Sequence, residues 1–320
     1  MNKIALRGIQ LTAALAVSAA LHAQDYPAKP VRLIVPSPGG TVDVVTRLFA
    51  GKLSGKWGQT AFIENRAGAG GNIGAEAVFK AAPDGYTLLS APPGPLVINK
   101  SLYARLAYDP DLFVPVAIFA TAPQVLVVHP KVKAGDLAQL IALLKGNPGR
   151  LNYSSAGSGS SLHLAAEMFN AMAGVKAVHV PYKGAGPALA DLTGGQVDMM
   201  FMDLGAILPH VRSGKLRALG VASDKRNSLL PDIPTVKEQV PGFSSIFWAG
   251  LVGPPGMSAA VVNRLSSAIA EITRQPEVAK RLTDLSFEAG DSSPAEMAQF
   301  MKQERERWGK VIRAIGATAE

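Results

Sequence analysis

Two glycine-rich loops hold most of the residues that could do chemistry. The first, Pro36-Ser37-Pro38-Gly39-Gly40-Thr41-Val42-Asp43, follows a short β-branched run, Val31 to Val35. The second, Ser155-Ala156-Gly157-Ser158-Gly159-Ser160-Ser161, follows Leu151 to Ser154 and leads into a helical stretch with His163 and Glu167. Glycines let backbone amides come close to a bound group, and prolines stiffen the approach. A helix that starts just after such a loop aims its unpaired amides and positive end at the same place. The chemistry on offer is capture of an anion by N–H donors. Glycine and serine ahead of a helix are also ordinary capping and turn residues. One such loop would therefore carry little, and two at matching places in the topology carry more.

The elements that must position these loops alternate along the chain. Val31 to Val35 reads as a strand, followed by a helix with Val44, Val45, Leu48, Leu53 and Trp57 on one face and Gly58 as its stop. Ala61 to Ile63 and Thr87 to Ser90 are the next strands, with a helix over Ile73 to Ala81 between them and a Pro83-Asp84-Gly85 turn. Val125 to Val128, Leu151 to Ser154, Ala177 to Val180, Val197 to Phe201 and Ala218 to Val221 are further strands, separated by helices such as Leu137 to Leu144. Ser258 and Pro276 each open a helix near the C-terminus, and Ser293-Pro294-Ala295-Glu296 is a capping box. Behind it Met297, Phe300, Met301, Trp308, Val311, Ile312 and Ile315 form an apolar stripe that reads as core. Such alternation implies a mostly parallel sheet with helices on both faces, with ligands outside the carboxyl ends of the strands.

Composition narrows the function. The chain has 320 residues, no cysteine, 48% apolar and 18% charged residues, enough for a sizeable core without disulfides. Lys3 and Arg7, the apolar run Ile9 to Ala20 and the small residue Ala23 read as a secretory signal over 1–23, cleaved after Ala23 or Ala20. The run is too short to span a bilayer, which takes about 20 apolar residues. The net charge is +8, of which Lys3 and Arg7 contribute two. The remaining basic residues are scattered and lack interleaved aromatics, so nucleic acid is not an expected partner. No phosphate loop, G-x-S-x-G elbow or H-E-x-x-H occurs, and the five histidines have no metal-ligand spacing. Gly68-Ala69-Gly70-Gly71-Asn72-Ile73-Gly74 has Ile73 where a dinucleotide fingerprint needs its third glycine, and reads as a turn into a helix. Neither a cofactor nor a metal is expected. Ser158 or Ser160 with His163, oriented by Asp198 or Asp203, would be the elements of an exported serine hydrolase; a Ser–His contact in the fold decides that reading.

A further set of stretches resembles one family. Tyr26 to Pro36, Glu64 to Gly74, Ala82-Pro83-Asp84-Gly85-Tyr86-Thr87-Leu88-Leu89, Leu151 to Gly157, His179-Val180-Pro181-Tyr182-Lys183-Gly184 and Leu229 to Val236 occur in the order found in the Bug-type extracytoplasmic solute receptors of tripartite tricarboxylate transporters. The resemblance covers nearly the whole chain after the signal. It implies a two-lobed periplasmic-binding-protein-like (type II) α/β fold, with lobe 1 over 25–121 plus 247–320 and lobe 2 over 122–246. The ligand would lie in the cleft between them. It also implies a non-catalytic, monomeric receptor for a small carboxylate, held largely by backbone amides and water, with membrane transporter subunits as partners. A sensor that presents its closed form to a signalling partner would use the same cleft.

The ligand contacts expected on this reading are Ser37, Gly39, Gly40, Thr41 and Asp43 in the first loop, and Ser155, Gly157, Ser158, Ser160 and His163 in the second. Pro92, Tyr182, Lys183 and Asp203 border the cleft. Three stretches depart from the family pattern: the first loop is one residue short with Ser37 in place of an aromatic, Ala91 to Pro95 is proline-rich, and Met199 to Gly205 lacks a D-N-x-P arrangement. An acid such as Asp203 beside an anion site is costly unless it meets a cation, a water or a ligand donor group.

Overall fold

The computed structural model describes residues 26–36, 38, 39 and 41–319; the signal segment and the loop residues Ser37 and Gly40 lie outside the described residues. Strand β1 (Val31–Val35) is aliphatic and buried at four of its five positions, as befits a strand covered on both faces. It lies in parallel between β2 (Ala61–Asn65) and β3 (Thr87–Ala91). Helix α1 (Thr41–Trp57) packs on them through Val42, Val45, Phe49 and Leu53. That face differs from the one expected: Val44 is exposed, because the three- and four-residue steps from Val42 turn it outward. Helix α2 (Asn72–Phe79) follows the Gly68–Gly71 approach, which is a turn into a helix as read. The short helix α3 (Asn99–Leu102) follows the proline-rich stretch.

The pivotal strand is β4 (Val114–Val128), far longer than the Val125–Val128 expected from sequence. Its two internal prolines, Pro115 and Pro123, hid its first part, since proline removes a ladder donor. From Val114 to Pro123 it runs antiparallel to β9 (Ile246–Gly253), itself not anticipated as a strand. From Gln124 to Val128 it runs antiparallel to β7 (Met199–Asp203) and β8 (Arg217–Val221) instead. Pro123 thus marks the point where one set of neighbours is exchanged for another. Beyond β7 lie β5 (Asn152–Ser155) and β6 (Val178–Pro181), both parallel, giving the order β2-β1-β3-β9-β4-β7-β5-β6. The expected mostly parallel sheet is therefore two parallel groups joined through antiparallel crossing strands.

Helices α4 (Leu137–Gly146), α5 (Ser161–Ala173), α6 (Ala185–Thr193) and α7 (Leu204–Arg212) cover the β5–β8 side, building two cores. The β1–β3 side is covered by α1, α2, α8 (Ala259–Thr273), α9 (Pro276–Asp284) and the terminal helix α10 (Pro294–Ile315). Ser293 and Glu296 form the expected capping box at the start of α10. Its stripe of Met297, Met301, Trp308 and Ile312 is core, and that core also takes in Leu164 of α5 from the other side. Arg307 of α10 donates to the Ser244 carbonyl, pairs with Glu304 at 2.8 Å and lies 4.4 Å over the Trp308 ring. Helix α10 therefore braces the approach to β9. Among the described residues no helix is long and apolar enough to cross a membrane.

Candidate functional site

The first loop is organised by Asp43, in the first turn of α1. Its carboxylate accepts from the Gly39 amide (3.2 Å), Asn65 Nδ2 (2.8 Å) and two Arg47 nitrogens (3.0 and 3.2 Å). Burial would raise this carboxyl, but the Asn65, Arg47 and Gly39 hydrogen bonds outweigh it and hold it below the usual carboxylate range. Gly39 has φ +66°, a left-handed conformation that glycine adopts without strain. Asp43 is thus the loop's internal anchor, its oxygens taken up by neighbours. Thr41 reaches the other way: its hydroxyl donates to Asp203 Oδ2 at 3.1 Å.

That bond joins the two sides of the molecule. Asp203 ends β7, while Thr41 begins α1 against β1. Strands β5 and β7 are parallel with Tyr153 opposite Met199, so the second loop leaves β5 at the same end of the sheet at which Asp203 closes β7. The start of α1, the end of β7 and the second loop therefore converge at strand carboxyl ends. Burial pushes the Asp203 carboxyl up to about 6, against hydrogen bonding from Thr41 and the nearby Gln124 amide. Gln124 is Asp203's cross-strand partner and is fully buried. Its Oε1 accepts from the Ser245 hydroxyl at 2.7 Å, and its Nε2 has no hydrogen-bond partner of good geometry among the described residues.

The second loop hangs on two histidines. Gly159's amide donates to His163 Nδ1 at 3.1 Å, and Ser155 Oγ lies 2.7 Å from His179 Nε2. The two imidazoles stack with centroids 4.0 Å apart, and Tyr153 stacks on His179 at 4.9 Å. Tyr153 in turn donates its hydroxyl to Glu167. Burial pulls both histidines down to about 4, and the neighbouring imidazole adds to the effect on His179. Both rings are neutral near pH 7, so His163 Nδ1 is free to accept. At the far end of the loop Gly159 packs against Leu102 of α3, where an added Cβ would lie 2.2 Å from a Leu102 methyl. This is a second contact between the two sides.

The remaining candidate residues divide clearly. Ser160 caps α5, its hydroxyl accepting from the His163 amide at 3.2 Å, and Ser155 is fully buried with its hydroxyl also bonded to Gly157. Ser158 is exposed and makes no side-chain hydrogen bond among the described residues. The contact that would make Ser158 or Ser160 a nucleophile is not formed: neither hydroxyl bonds the His163 ring, whose Nδ1 is given to the loop. Tyr182 donates to Asp191 at 2.6 Å, which pushes its phenol up to about 12, and Lys183 is exposed. Pro92 is half-buried just past the end of β3. His179 and Gln124 were missed from sequence. Aligning the parallel strands would have found His179, which sits opposite Tyr153; Gln124 lay in the proline-interrupted part of β4.

A fold of this topology, with amide-rich loops converging at the carboxyl ends of strands from both sides, defines a two-lobed solute-binding receptor. Residues 45–317 match the model of the tripartite tricarboxylate transporter family receptor (TctC). Protein BugT of Bordetella pertussis is 37% identical over 98% of this chain and 97% of its own length. Among solved structures, R. palustris Rpa4515 with adipate is 35% identical with a TM-score of 0.84, covering 92% of this chain and 99% of that one. MatC (Rpa3494) from Rhodopseudomonas palustris with bound malate is 34% identical with a TM-score of 0.80, covering 90% and 100%. The chain belongs to the tripartite tricarboxylate transporter family of receptors.

Proposed function

We propose that this chain captures a small carboxylate — a di- or tricarboxylate, an amino acid or an aromatic acid — in the cleft between lobes 25–121 plus 247–320 and 122–246. It delivers the ligand, after export by a cleaved signal, to membrane subunits of a tripartite tricarboxylate-type uptake system. It does so without catalysis. The observation that carries this reading is the Thr41–Asp203 hydrogen bond, which brings the start of α1 to the strand end beside the second loop. The Gly40 amide would take one side of the anion, and the Ser158 amide and hydroxyl the other; the Gly39 and Gly157 amides are already given to Asp43 and the Ser155 hydroxyl and hold the loops in shape. Hydrogen bonds in a closed cleft gain strength because competing water is excluded. A ligand touching both loops binds the closed form better, and only that difference drives closure. Relatives solved with adipate and malate support a carboxylate ligand.

Mass spectrometry of material released from the purified protein, followed by calorimetry with the compound found, tests the reading. A carboxylate is expected, with Gly40→Val and Ser158→Ala each weakening its binding in folded protein. Release of a ligand without an acid group, or unchanged affinity in both variants, overturns it.

A further inference from the structure

A carboxylate is a poor neighbour for an anion site, and Asp203 sits at this one. Among the described residues nothing charged is placed to offset it. On α1, Arg47 is bonded to Asp43, while Lys52 and Lys56 pair with Glu277 and Glu271. On β4 its partner is the neutral Gln124, and on α7 the basic residues His210 and Arg212 lie in the last turn, away from the end that follows Asp203. Lys183 is exposed, with no ion pair among the described residues. What the carboxylate does have is a hydroxyl: Thr41 Oγ1 at 3.1 Å on Oδ2. A neutral hydroxyl donor from outside its own strand therefore fits this oxygen. Beside it the fully buried Gln124 amide leans on the same carboxylate and is likewise uncharged.

We propose that Asp203 is the specificity-determining residue of the cleft, accepting a hydrogen bond from a hydroxyl or ammonium group carried beside the ligand's carboxylate. The inference rests on the carboxylate-receptor reading above. Two carboxylates side by side repel unless a hydrogen lies between them. A 2-hydroxy or 2-amino acid supplies that hydrogen itself. A plain di-acid of the same length does not, so Asp203 must take a proton from solvent before the cleft closes, and its burial-raised pKa of about 6 makes this feasible at a penalty. A charge-assisted hydrogen bond gained in place of that penalty corresponds to about ten- to a hundredfold in affinity.

The test is calorimetry on matched acids with wild-type protein and Asp203→Asn, which keeps the side chain's shape and removes its charge. The probes are succinate, malate and aspartate; glutarate, 2-hydroxyglutarate and glutamate; adipate and 2-hydroxyadipate. At the chain length that fits, the hydroxy or amino member should bind the wild type at least about tenfold tighter than the plain acid. Repeating the titration in buffers of different ionisation enthalpy should show proton uptake with the plain acid alone. In Asp203→Asn the plain acid should gain affinity, the preference should fall to about threefold or less, and the proton uptake should vanish. Equal affinities in the wild type, or a preference that survives Asp203→Asn, overturn the assignment while leaving the receptor reading intact. If no acid of the panel binds, this inference fails, and the receptor reading is decided separately by the identity of the released ligand.

Discussion

Acid should loosen the second loop before it unfolds the rest of the protein. His163 and His179 are held near 4, below the ordinary value of 6.5, so the unfolded chain binds more protons than the folded one between those values. Stability therefore falls as pH drops through that window and is restored above it. Between those values the linkage at pH 5 amounts to about 2 kcal/mol for each ring. Both rings are half-buried, and solvent screening reduces this to about 1 kcal/mol each. Asp203 works in the opposite direction, because its raised carboxyl takes up a proton in the folded state over the same range. A variant that retains Asp203 and removes only the imidazoles separates the two. In His163→Asn with His179→Gln, side-chain amides can take over the contacts to the Gly159 amide and Ser155 without titrating. Urea denaturation at pH 7.5 and at pH 5.0 should show the wild type losing about 2 kcal/mol more than the double variant. Ligand affinity should hold down to about pH 5 and fall only towards pH 4, where the folded His163 takes up its proton and the Gly159 amide loses its acceptor. Identical pH dependence in the two proteins would refute the argument that neutral, stacked imidazoles hold up the loop.

Two further perturbations follow from contacts that bridge the two sides. Gly159→Ala forces a left-handed φ of +80° on a residue with a Cβ and drives that atom into Leu102, so closure should weaken and affinity drop about five- to thirtyfold, with Leu102→Ala recovering only the steric part; scattering profiles that compact normally with ligand in Gly159→Ala would count against it. Arg307→Ala removes the support of the Ser244 carbonyl and leaves the buried Glu304 with only the Trp308 indole, at 3.1 Å, so about 2 kcal/mol of stability should be lost in thermal or urea unfolding; a loss under about 0.5 kcal/mol would show that the brace is idle.

Much of the scaffold was legible because it follows local rules. Val31 to Val35, the capping box at Ser293 and the helix after Ser258 are set by β-branching, side-chain caps and apolar spacing within a few residues. The crossing strands were not legible, because Pro115 and Pro123 break the strand signal locally while β9 supplies the pairing from far along the chain. The loops themselves were found, but roles within them were not. Asp43 looked like a ligand contact by position and is an anchor, since only the fold brings Asn65 and Arg47 to it. His163 looked like a base for a serine and is a prop for an amide, since its partner His179 arrives from a neighbouring strand.

The exchange of neighbours at Pro123 also sets an order of events for the emerging chain. The first part of β4 needs β9, so Ala117 cannot find Leu251 until the whole β5–β8 segment has been made. The strands β5 to β8 and the second part of β4 meet all their partners within their own stretch. That middle segment can therefore condense as soon as it is complete, while β1 to β3 wait with their apolar edge uncovered. Pairings of such wide sequence separation close slowly, because the loop entropy falls due before the contacts form. A holdase that binds nascent chains should therefore favour β1 to β3 over the later middle strands, and refolding should show the β5–β8 half protected from hydrogen exchange first.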